Sequence, residues 1–132
     1  MKSFVVFSDG GSRGNPGPAA IGFVIRDEGG EILYKEGRAI GVSTNNCAEY
    51  TALKEALKKA VALGAKEVSC FLDSELVVRQ LNGQYKVRDV NIKKYFGELQ
   101  DVLSAFTKAS FNHIGRDKNF EADKLVNQAL DS

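Results

Sequence analysis

Apolar residues in the first third of the chain fall into short runs that predict strands. Residues 4–7 have no polar side, which is typical of a strand buried on both faces. This run ends on Asp9, and the glycines and prolines that follow break regular structure. Residues 21–26 and 31–35 predict a second and a third strand around a two-glycine hairpin turn, with the third extending towards Ile40. Short turns between three strands indicate an antiparallel meander.

A helical spacing of apolar residues begins after the meander. Residues 45–63 have the periodicity of a helix, with Asn45 or Asn46 as its cap and Gly64 at its end. On a helical wheel, Glu49 falls at the centre of the apolar face. A carboxylate in that position needs a hydrogen bond, a salt bridge or a bound cation. The sequence leaves these alternatives open.

The rest of the chain alternates between strand and helix patterns. The next strand ends on an acid, Asp73, as the first strand ends on Asp9. The long amphipathic helix that follows has a clean apolar stripe, which we expect to pack in the core. The final helix carries Asp123. The predicted elements are a strand at residues 67–72, a short helix at 74–81, a helix at 92–106, a strand at 109–114 and a helix at 119–130.

The element order β-β-β-α-β-α-α-β-α is that of an α/β fold. It predicts a five-stranded mixed sheet, with three antiparallel strands and two parallel strands, flanked by helices. The first strand would lie in the centre, antiparallel to the second and parallel to the fourth. Ligands bind off the carboxyl ends of parallel strands, so Asp9 and Asp73 are expected to face a ligand site.

Composition limits the classes of protein to which the chain can belong. Its 132 residues, 43% of them hydrophobic and 27% charged, suit one soluble globular domain at residues 1–132. The net charge of +1 excludes a strongly basic, non-specific nucleic-acid binder. No apolar run approaches the ~20 residues that span a bilayer, and no signal-peptide pattern is present. Cys47 and Cys70 fit no zinc spacing, so we expect a reducing, cytoplasmic setting without membrane contact.

Four carboxylates stand out: Asp9, Glu49, Asp73 and Asp123. If the fold brings them together they repel one another, and a divalent cation would relieve that repulsion. Oxygen ligands alone favour Mg²⁺ or Mn²⁺ over zinc. Two such ions about 3.5–4 Å apart can activate a water and stabilise a leaving oxygen in phosphodiester cleavage. Taken alone, Asp123 is more typical of a cap or a surface charge.

Four short motifs lie in order on these predicted elements. They are Asp-Gly-Gly-Ser at 9–12 with Asn-Pro-Gly at 15–17, Thr-Asn-Asn at 44–46 followed by Glu49, Asp-Ser at 73–74, and the set Asn119, Ala122 and Asp123. Together they resemble the motifs of the ribonuclease H family, type 1 branch, over nearly the whole chain. The resemblance implies a ribonuclease H-like fold.

The resemblance also implies an activity. Members of this family are endoribonucleases that hydrolyse the RNA strand of RNA–DNA hybrids and leave a 5′-phosphate. By resemblance, Asp9, Glu49, Asp73 and Asp123 are the catalytic metal ligands, and the cofactor is a pair of Mg²⁺ or Mn²⁺ ions. The expected partner is an RNA–DNA hybrid, with double-stranded RNA left open, and the expected state is a monomer.

A basic side chain near the acids is expected to assist catalysis. His113 precedes Asp123 by ten residues, where bacterial relatives have a loop histidine that assists proton transfer or product release. A histidine can do this because its pKa lies near neutrality. Related branches use an arginine in an Arg-x-x-Asn arrangement, which Arg116 matches. His113 is also consistent with a strand-end residue that has no role.

Substrate contacts are expected from the loops beside the acids. Short amide and hydroxyl side chains can hydrogen-bond 2′-hydroxyls and minor-groove base edges, which distinguishes RNA from DNA. Glycines there let a ligand approach the backbone. The same residues are consistent with turn and cap roles. The expected contacts are Gly10, Gly11, Asn15, Thr44, Asn45, Asn46 and Arg116.

The chain departs from the familiar bacterial pattern after the short helix. Residues 86–94 are compact and the chain has no tryptophan, so the long basic protrusion is absent, as in short archaeal-like and bacterial variants. This bears on substrate affinity more than on chemistry. Four basic residues remain there, and a solvated face accounts for them as well as a binding patch does. They are Lys86, Arg88, Lys93 and Lys94.

Two other functions remain open at this point. One is a non-catalytic module that binds hybrid or double-stranded RNA, since a fold does not fix a function. The presence of all four acids argues against it. The other is a DNA nuclease of the wider superfamily, and the Thr-Asn-Asn motif at 44–46 argues against that.

Overall fold

The structure is a computed structural model that describes residues 2–132. Its elements are β1 (Ser3–Ser12), β2 (Gly17–Asp27), β3 (Ile32–Ser43), α1 (Asn45–Ala62), β4 (Glu67–Leu72), α2 (Glu75–Leu81), α3 (Val90–Leu103), β5 (Lys108–His113), a 3₁₀ turn (Arg116–Asn119) and α4 (Phe120–Asp131). One sheet has the strand order β3-β2-β1-β4-β5. β1 is antiparallel to β2 and parallel to β4, which confirms the predicted mixed α/β sheet.

β1 is longer than predicted, and Asp9 does not lie at its end. The strand continues to Ser12, because the glycines after Asp9 stay paired with β2 in the antiparallel ladder. The parallel ladder with β4 is shorter and closes where Ser8 lies opposite Leu72. Asp9 and Asp73 each follow this last pair. Asp9 and Asp73 therefore lie side by side, although the prediction that β1 ends at Asp9 was wrong.

Thr44 caps the N-terminus of α1, so the prediction of Asn45 or Asn46 was wrong. The Thr44 hydroxyl accepts a hydrogen bond of 3.2 Å from the backbone N–H of Cys47. Threonine suits this role because its hydroxyl lies close to its extended backbone. Gly64 follows the helix with a φ of +95°, which confirms glycine at its end.

The remaining differences concern the ends of elements. β2 and β3 are longer than predicted because they pair with each other from residue 17 to residue 43. α3 ends at Leu103, whereas residue 106 was predicted. Asn119 belongs to the 3₁₀ turn, and α4 begins one residue later.

The main hydrophobic core lies between the sheet and α1, and α3 packs against it. Ile92 and Leu99 of α3 are buried there, which confirms its apolar stripe as core. Cys47 and Cys70 are buried in the same core as free thiols. Within residues 2–132, no helix has the length and apolar character to cross a bilayer. The largest buried apolar side chains are Tyr50, Phe23, Ile21, Ile25, Leu53, Leu57 and Leu72.

α4 packs closely on the opposite face of the sheet. A Cβ added at Gly22 of β2 would lie 2.4 Å from the Ala122 carbonyl oxygen. A Cβ at Gly37 of β3 would lie 2.7 Å from the Leu125 carbonyl oxygen. Side chains at these positions would push the helix away. The two glycines therefore set how close Asp123 lies to the strands.

Candidate active site

A cavity of about 400 Å³ opens where the parallel ladder ends. We call it the acid cavity, because all four predicted acids line it. Asp9 comes from β1, Glu49 from α1, Asp73 from the residue after β4 and Asp123 from α4. Four elements that are distant in sequence thus bring their carboxyl groups to one place, as the motif order predicted.

Glu49 is buried at the centre of the apolar face of α1, with 2% of its surface exposed. Its Oε1 accepts a hydrogen bond of 2.6 Å from the backbone N–H of Gly10. This close approach of α1 to β1 requires glycine, since a Cβ at Gly10 would lie 2.2 Å from the Ala48 carbonyl oxygen. Gly10, predicted as a substrate contact, therefore also packs against the helix.

The structure decides two of the open alternatives for Glu49, because it gives the group a hydrogen bond at one oxygen and no salt bridge among the described residues. Oε2 is buried and has no hydrogen-bond partner among the described residues. No described lysine, arginine or histidine forms a salt bridge with this carboxyl group. A buried carboxylate oxygen without a partner is costly, because it has lost its water. One hydrogen bond therefore satisfies only half of the group.

Burial raises the pKa of two of the acids. It raises the pKa of Asp9 to about 7, and the neighbouring Asp73 and Asp123 charges contribute to the rise, while the closeness of Glu49 opposes it. Burial also raises the pKa of Glu49 well above its usual range, and the closeness of Asp9 adds to this. Both groups resist ionisation in this environment unless positive charge is supplied.

The cluster suits a divalent cation. One carboxylate oxygen each from Asp9, Glu49 and Asp73 lies within 4.8 Å of the other two. All the donors are oxygens, which hard cations prefer. A cation there would give Glu49 Oε2 a partner and offset the repulsion among the acids. The residues present therefore fit the divalent metal that the family resemblance implies.

Asp123 lines the acid cavity but lies outside this three-residue cluster. Its Oδ2 accepts a hydrogen bond of 3.3 Å from Nδ2 of Asn127, one turn further along α4. Asp123 is half-buried, whereas Asp9 and Glu49 are buried. The cavity thus has an inner part made of three acids and an outer part made by α4.

Asp73 is held by a hydrogen bond from the last turn before α4. Nδ2 of Asn119 donates to Asp73 Oδ2 at 3.1 Å and to the Ser8 carbonyl oxygen at 2.9 Å. Sequence reasoning placed Asn119 in a motif but gave it no role. An asparagine at the start of a helix is usually read as a cap, and this one makes no capping hydrogen bond.

The two candidate basic residues differ in position. Arg116 lines the acid cavity. His113 is the last residue of β5, paired opposite Leu72, and it is exposed and not among the lining residues. The structure therefore brings Arg116, and not His113, to the acids.

The predicted substrate residues form a connected loop beside the acids. The Asn15 Oδ1 accepts a hydrogen bond of 3.0 Å from the backbone N–H of Asn45. The Asn45 Oδ1 in turn accepts one of 3.3 Å from the backbone N–H of Ser12. Gly11 and Asn45 line the acid cavity. A neighbouring cavity of about 200 Å³ is lined by Asn15, Thr44 and Asn46, among others.

Sequence reasoning did not propose several residues of the acid cavity as site residues, and two of them carry polar side chains next to Asp9 in sequence. Arg13 lines the cavity and forms an exposed ion pair of 2.6 Å with Asp131 at the end of α4. Ser12 lines it too, and its hydroxyl is buried with no hydrogen-bond partner among the described residues. The only available signal was their closeness in sequence to Asp9, because the partner of Arg13 comes from the other end of the chain.

Known proteins are similar to this chain in sequence and in fold. A family model described as "Reverse transcriptase-like" matches residues 7–129. The bifunctional protein Rv2228c of Mycobacterium tuberculosis is 41% identical over 97% of this chain. The ribonuclease HI of Halobacterium salinarum is 41% identical over 95% of it. The chain spans 35% of the mycobacterial protein and 63% of the halobacterial one.

Solved structures agree with these matches. The crystal structure of RNase H1 from Halobacterium salinarum superposes with a TM-score of 0.95 at 40% identity, covering 98% of each chain. The structure titled LC11-RNase H1 in complex with RNA/DNA hybrid superposes with a TM-score of 0.93 at 44% identity, covering 97% of this chain and 96% of the other. The chain belongs to the ribonuclease H family, type 1, and has its fold.

Proposed function

We propose that this member of the ribonuclease H family hydrolyses the RNA strand of RNA–DNA hybrids and leaves a 5′-phosphate. The observation that carries the proposal is the cluster of buried Asp9 and Glu49 with half-buried Asp73, in which one oxygen of Glu49 has no partner among the described residues. Such a cluster destabilises a protein that does not use it. Solved structures that superpose closely on this chain are titled RNase H1, and one of them was solved with an RNA/DNA hybrid.

Asp9, Glu49 and Asp73 would hold divalent metal ions, with Asp123 as a further ligand from the outer part of the cavity. We infer Mg²⁺ or Mn²⁺ from the all-oxygen donor set, and two ions from the resemblance to the family. The metal would supply an activated water and stabilise charge on the leaving oxygen. The protein's part is to place the acids on β1, α1 and α4 so that they need little rearrangement.

Recognition of RNA would come from the loop that joins Asn15, Asn45 and Ser12. Because the amide oxygens of both asparagines already accept backbone hydrogen bonds, their NH₂ groups are left to donate. No acceptor for these NH₂ groups is found among residues 2–132. Their natural targets are ribose 2′-hydroxyl oxygens and the acceptor atoms of minor-groove base edges.

Arg116 would contact a phosphate of the bound strand. Its guanidinium carries a permanent positive charge and forms paired hydrogen bonds with phosphate oxygens. It lines the acid cavity, where a phosphate near the acids would otherwise be repelled. We assign this supporting role to Arg116, and we assign none inside the cavity to His113.

The test is a cleavage assay on an end-labelled RNA–DNA hybrid with Mg²⁺, Mn²⁺ or EDTA, using residues 1–132 alone. Duplex DNA and duplex RNA are run beside it. We expect metal-dependent cleavage of the RNA strand of the hybrid. Degradation of the products by an exonuclease that requires a 5′-phosphate would identify the end. A folded protein that retards the hybrid on a gel without cleaving it in either metal would be a binding module, and equal cleavage of duplex DNA would make it a DNA nuclease.

A further inference from the structure

Asn119 is a buried polar side chain that does not line the acid cavity but contacts one of its acids from behind. It is 1% exposed and lies at the end of the 3₁₀ turn, just before α4. It does not cap the helix. Both hydrogens of its amide point across the sheet instead, one to the carbonyl oxygen of Ser8 and one to Asp73 Oδ2.

These two contacts join the middle of β1, next to Asp9, with the residue that follows β4. Ser8 directly precedes Asp9, and Asp73 directly follows β4. One NH₂ group therefore fixes the backbone beside the first acid and the carboxylate of the second. A neutral amide orients a carboxylate without neutralising it, whereas a lysine or arginine would compete with a cation for the same oxygens.

The remaining atom of the side chain makes Asn119 costly to bury. Its Oδ1 is buried and has no partner among the described residues. An unsatisfied buried acceptor costs about 1–3 kcal/mol. The two hydrogen bonds of the amide, one to the backbone and one to Asp73, must offset this cost.

We propose that Asn119 is a positioning residue, which holds the Asp73 carboxylate in the orientation that binds the divalent cation. The inference rests on the proposed metal-dependent function of the acid cavity. Groups that orient a metal ligand typically change metal affinity by about 10–100-fold when they are removed. Asn119 itself would touch neither the metal nor the substrate.

Asn112 offers a matched control. It is a half-buried asparagine on β5, and its Nδ2 donates to the Cys70 carbonyl oxygen at 3.2 Å and to Ser110 Oγ at 3.5 Å. Asn119→Ala and Asn112→Ala thus each remove an amide that braces the sheet. Only the first also removes a hydrogen bond to an acid.

The experiment measures Mn²⁺ binding by calorimetry, with Tm and hybrid cleavage as separate readouts. We expect Asn119→Ala to weaken Mn²⁺ binding by about 10–100-fold. Its kcat at low Mn²⁺ should fall and recover as Mn²⁺ is raised, while KM for the hybrid stays within about twofold. Asn112→Ala should lower Tm without changing Mn²⁺ binding.

Wild-type Mn²⁺ affinity in a folded Asn119→Ala protein would overturn the proposal. Equal losses of Mn²⁺ affinity in Asn119→Ala and Asn112→Ala would also overturn it. If Asn119→Ala does not fold, Asn119→Ser, which keeps one donor, is judged by the same criteria. If neither folds, Asn119 is structural and the proposal is wrong. Weakened Mn²⁺ binding in a chain whose wild type does not cleave hybrids would refute the proposed function and leave the role of Asn119 standing.

Discussion

Two cavities at opposite ends of β1 differ in what they bury. The acid cavity is the smaller, at about 400 Å³, and it contains Asp9 and Glu49, both buried. The other cavity, of about 570 Å³, lies beside the β2–β3 hairpin and the end of α1. Its charged residues, among them Glu28, lie at its rim, and its buried member is the apolar Phe4. We call it the hairpin cavity.

The comparison shows that volume does not identify a functional site. In the hairpin cavity the buried residue is apolar, and Lys2 and Glu28 are exposed to water, as is usual at a protein surface. In the acid cavity the buried residues include two acids, and one carboxylate oxygen has no partner among the described residues. Burying acids in this way is unfavourable for folding. It therefore indicates a functional site, at which stability is lower than an apolar lining would give.

The largest expected difference between the cavities is in catalysis. Asp9→Asn should reduce hybrid cleavage by about 10³-fold or more, because it removes a metal ligand in the inner cluster. Glu28→Gln, the same change of charge at the hairpin cavity, should leave the rate unchanged. Steady-state cleavage in Mg²⁺ measures both. Near-wild-type turnover of Asp9→Asn would remove the acid cavity from the mechanism.

The next largest difference between the cavities is expected in how much an added side chain destabilises the protein. Gly10→Ala should destabilise the protein by about 3 kcal/mol, since its Cβ would lie 2.2 Å from the Ala48 carbonyl oxygen. Gly29→Ala at the hairpin cavity has 3.4 Å to its nearest atom, Asp27 Oδ1, and should change stability by less than about 0.5 kcal/mol. Urea unfolding measures both. Equal effects would mean that α1 can move away from β1 at little cost.

The acid cavity should also make the stability of the protein depend on pH. Because the folded pKa of Asp9 is raised to about 7, folded protein without metal holds a proton that the unfolded chain releases. Its free energy of unfolding should therefore fall between about pH 4 and pH 7, by up to about 1.4 kcal/mol per pH unit from this group. The free energy of unfolding of Asp9→Asn should vary less over this range, and this variant should be more stable than the wild type near pH 7. Unfolding in EDTA across pH tests this, and parallel curves for the two proteins would contradict it.

The smallest expected effects are those of the two basic residues near the acid cavity. Arg116→Ala should lower kcat/KM by about tenfold through a lost charged contact, worth about 1.4 kcal/mol. His113→Ala should slow turnover less, by about threefold at most, since its side chain lies outside the cavity. Parallel measurements from pH 6 to pH 9 separate the two. A larger loss in His113→Ala, with a changed pH profile, would reverse the assignment.

Local patterns predicted the acids well. The helical wheel placed Glu49 on a buried face, and it is 2% exposed. The end of an apolar run placed Asp73 after β4, where it lies. For Asp9 the reasoning failed, because glycines usually end a strand. Here they continue it, since a neighbouring strand and a helix need the space that a side chain would fill.

Contacts between distant parts of the chain could not be predicted from the sequence. Nothing local indicates that Asn119 turns away from its own helix, or that Arg13 meets Asp131. The choice between Thr44 and its neighbours as the cap of α1 depends on backbone angles that residue type does not determine. The Asn15–Asn45 link likewise depends on the turn between two strands. The sequence thus shows which residue types are available, and the fold decides which of their atoms remain free.

The bond from Asn119 to the carbonyl oxygen of Ser8 joins residues 111 positions apart. A contact of such long sequence separation closes a long loop, which costs conformational entropy. α4, which carries Asp123, rests on Gly22 and Gly37, so its native position requires the meander to be formed. A partly folded chain, whether newly made or briefly opened, therefore lacks a complete set of acids. Cleavage activity should return during refolding in step with the last native contacts, and no sooner.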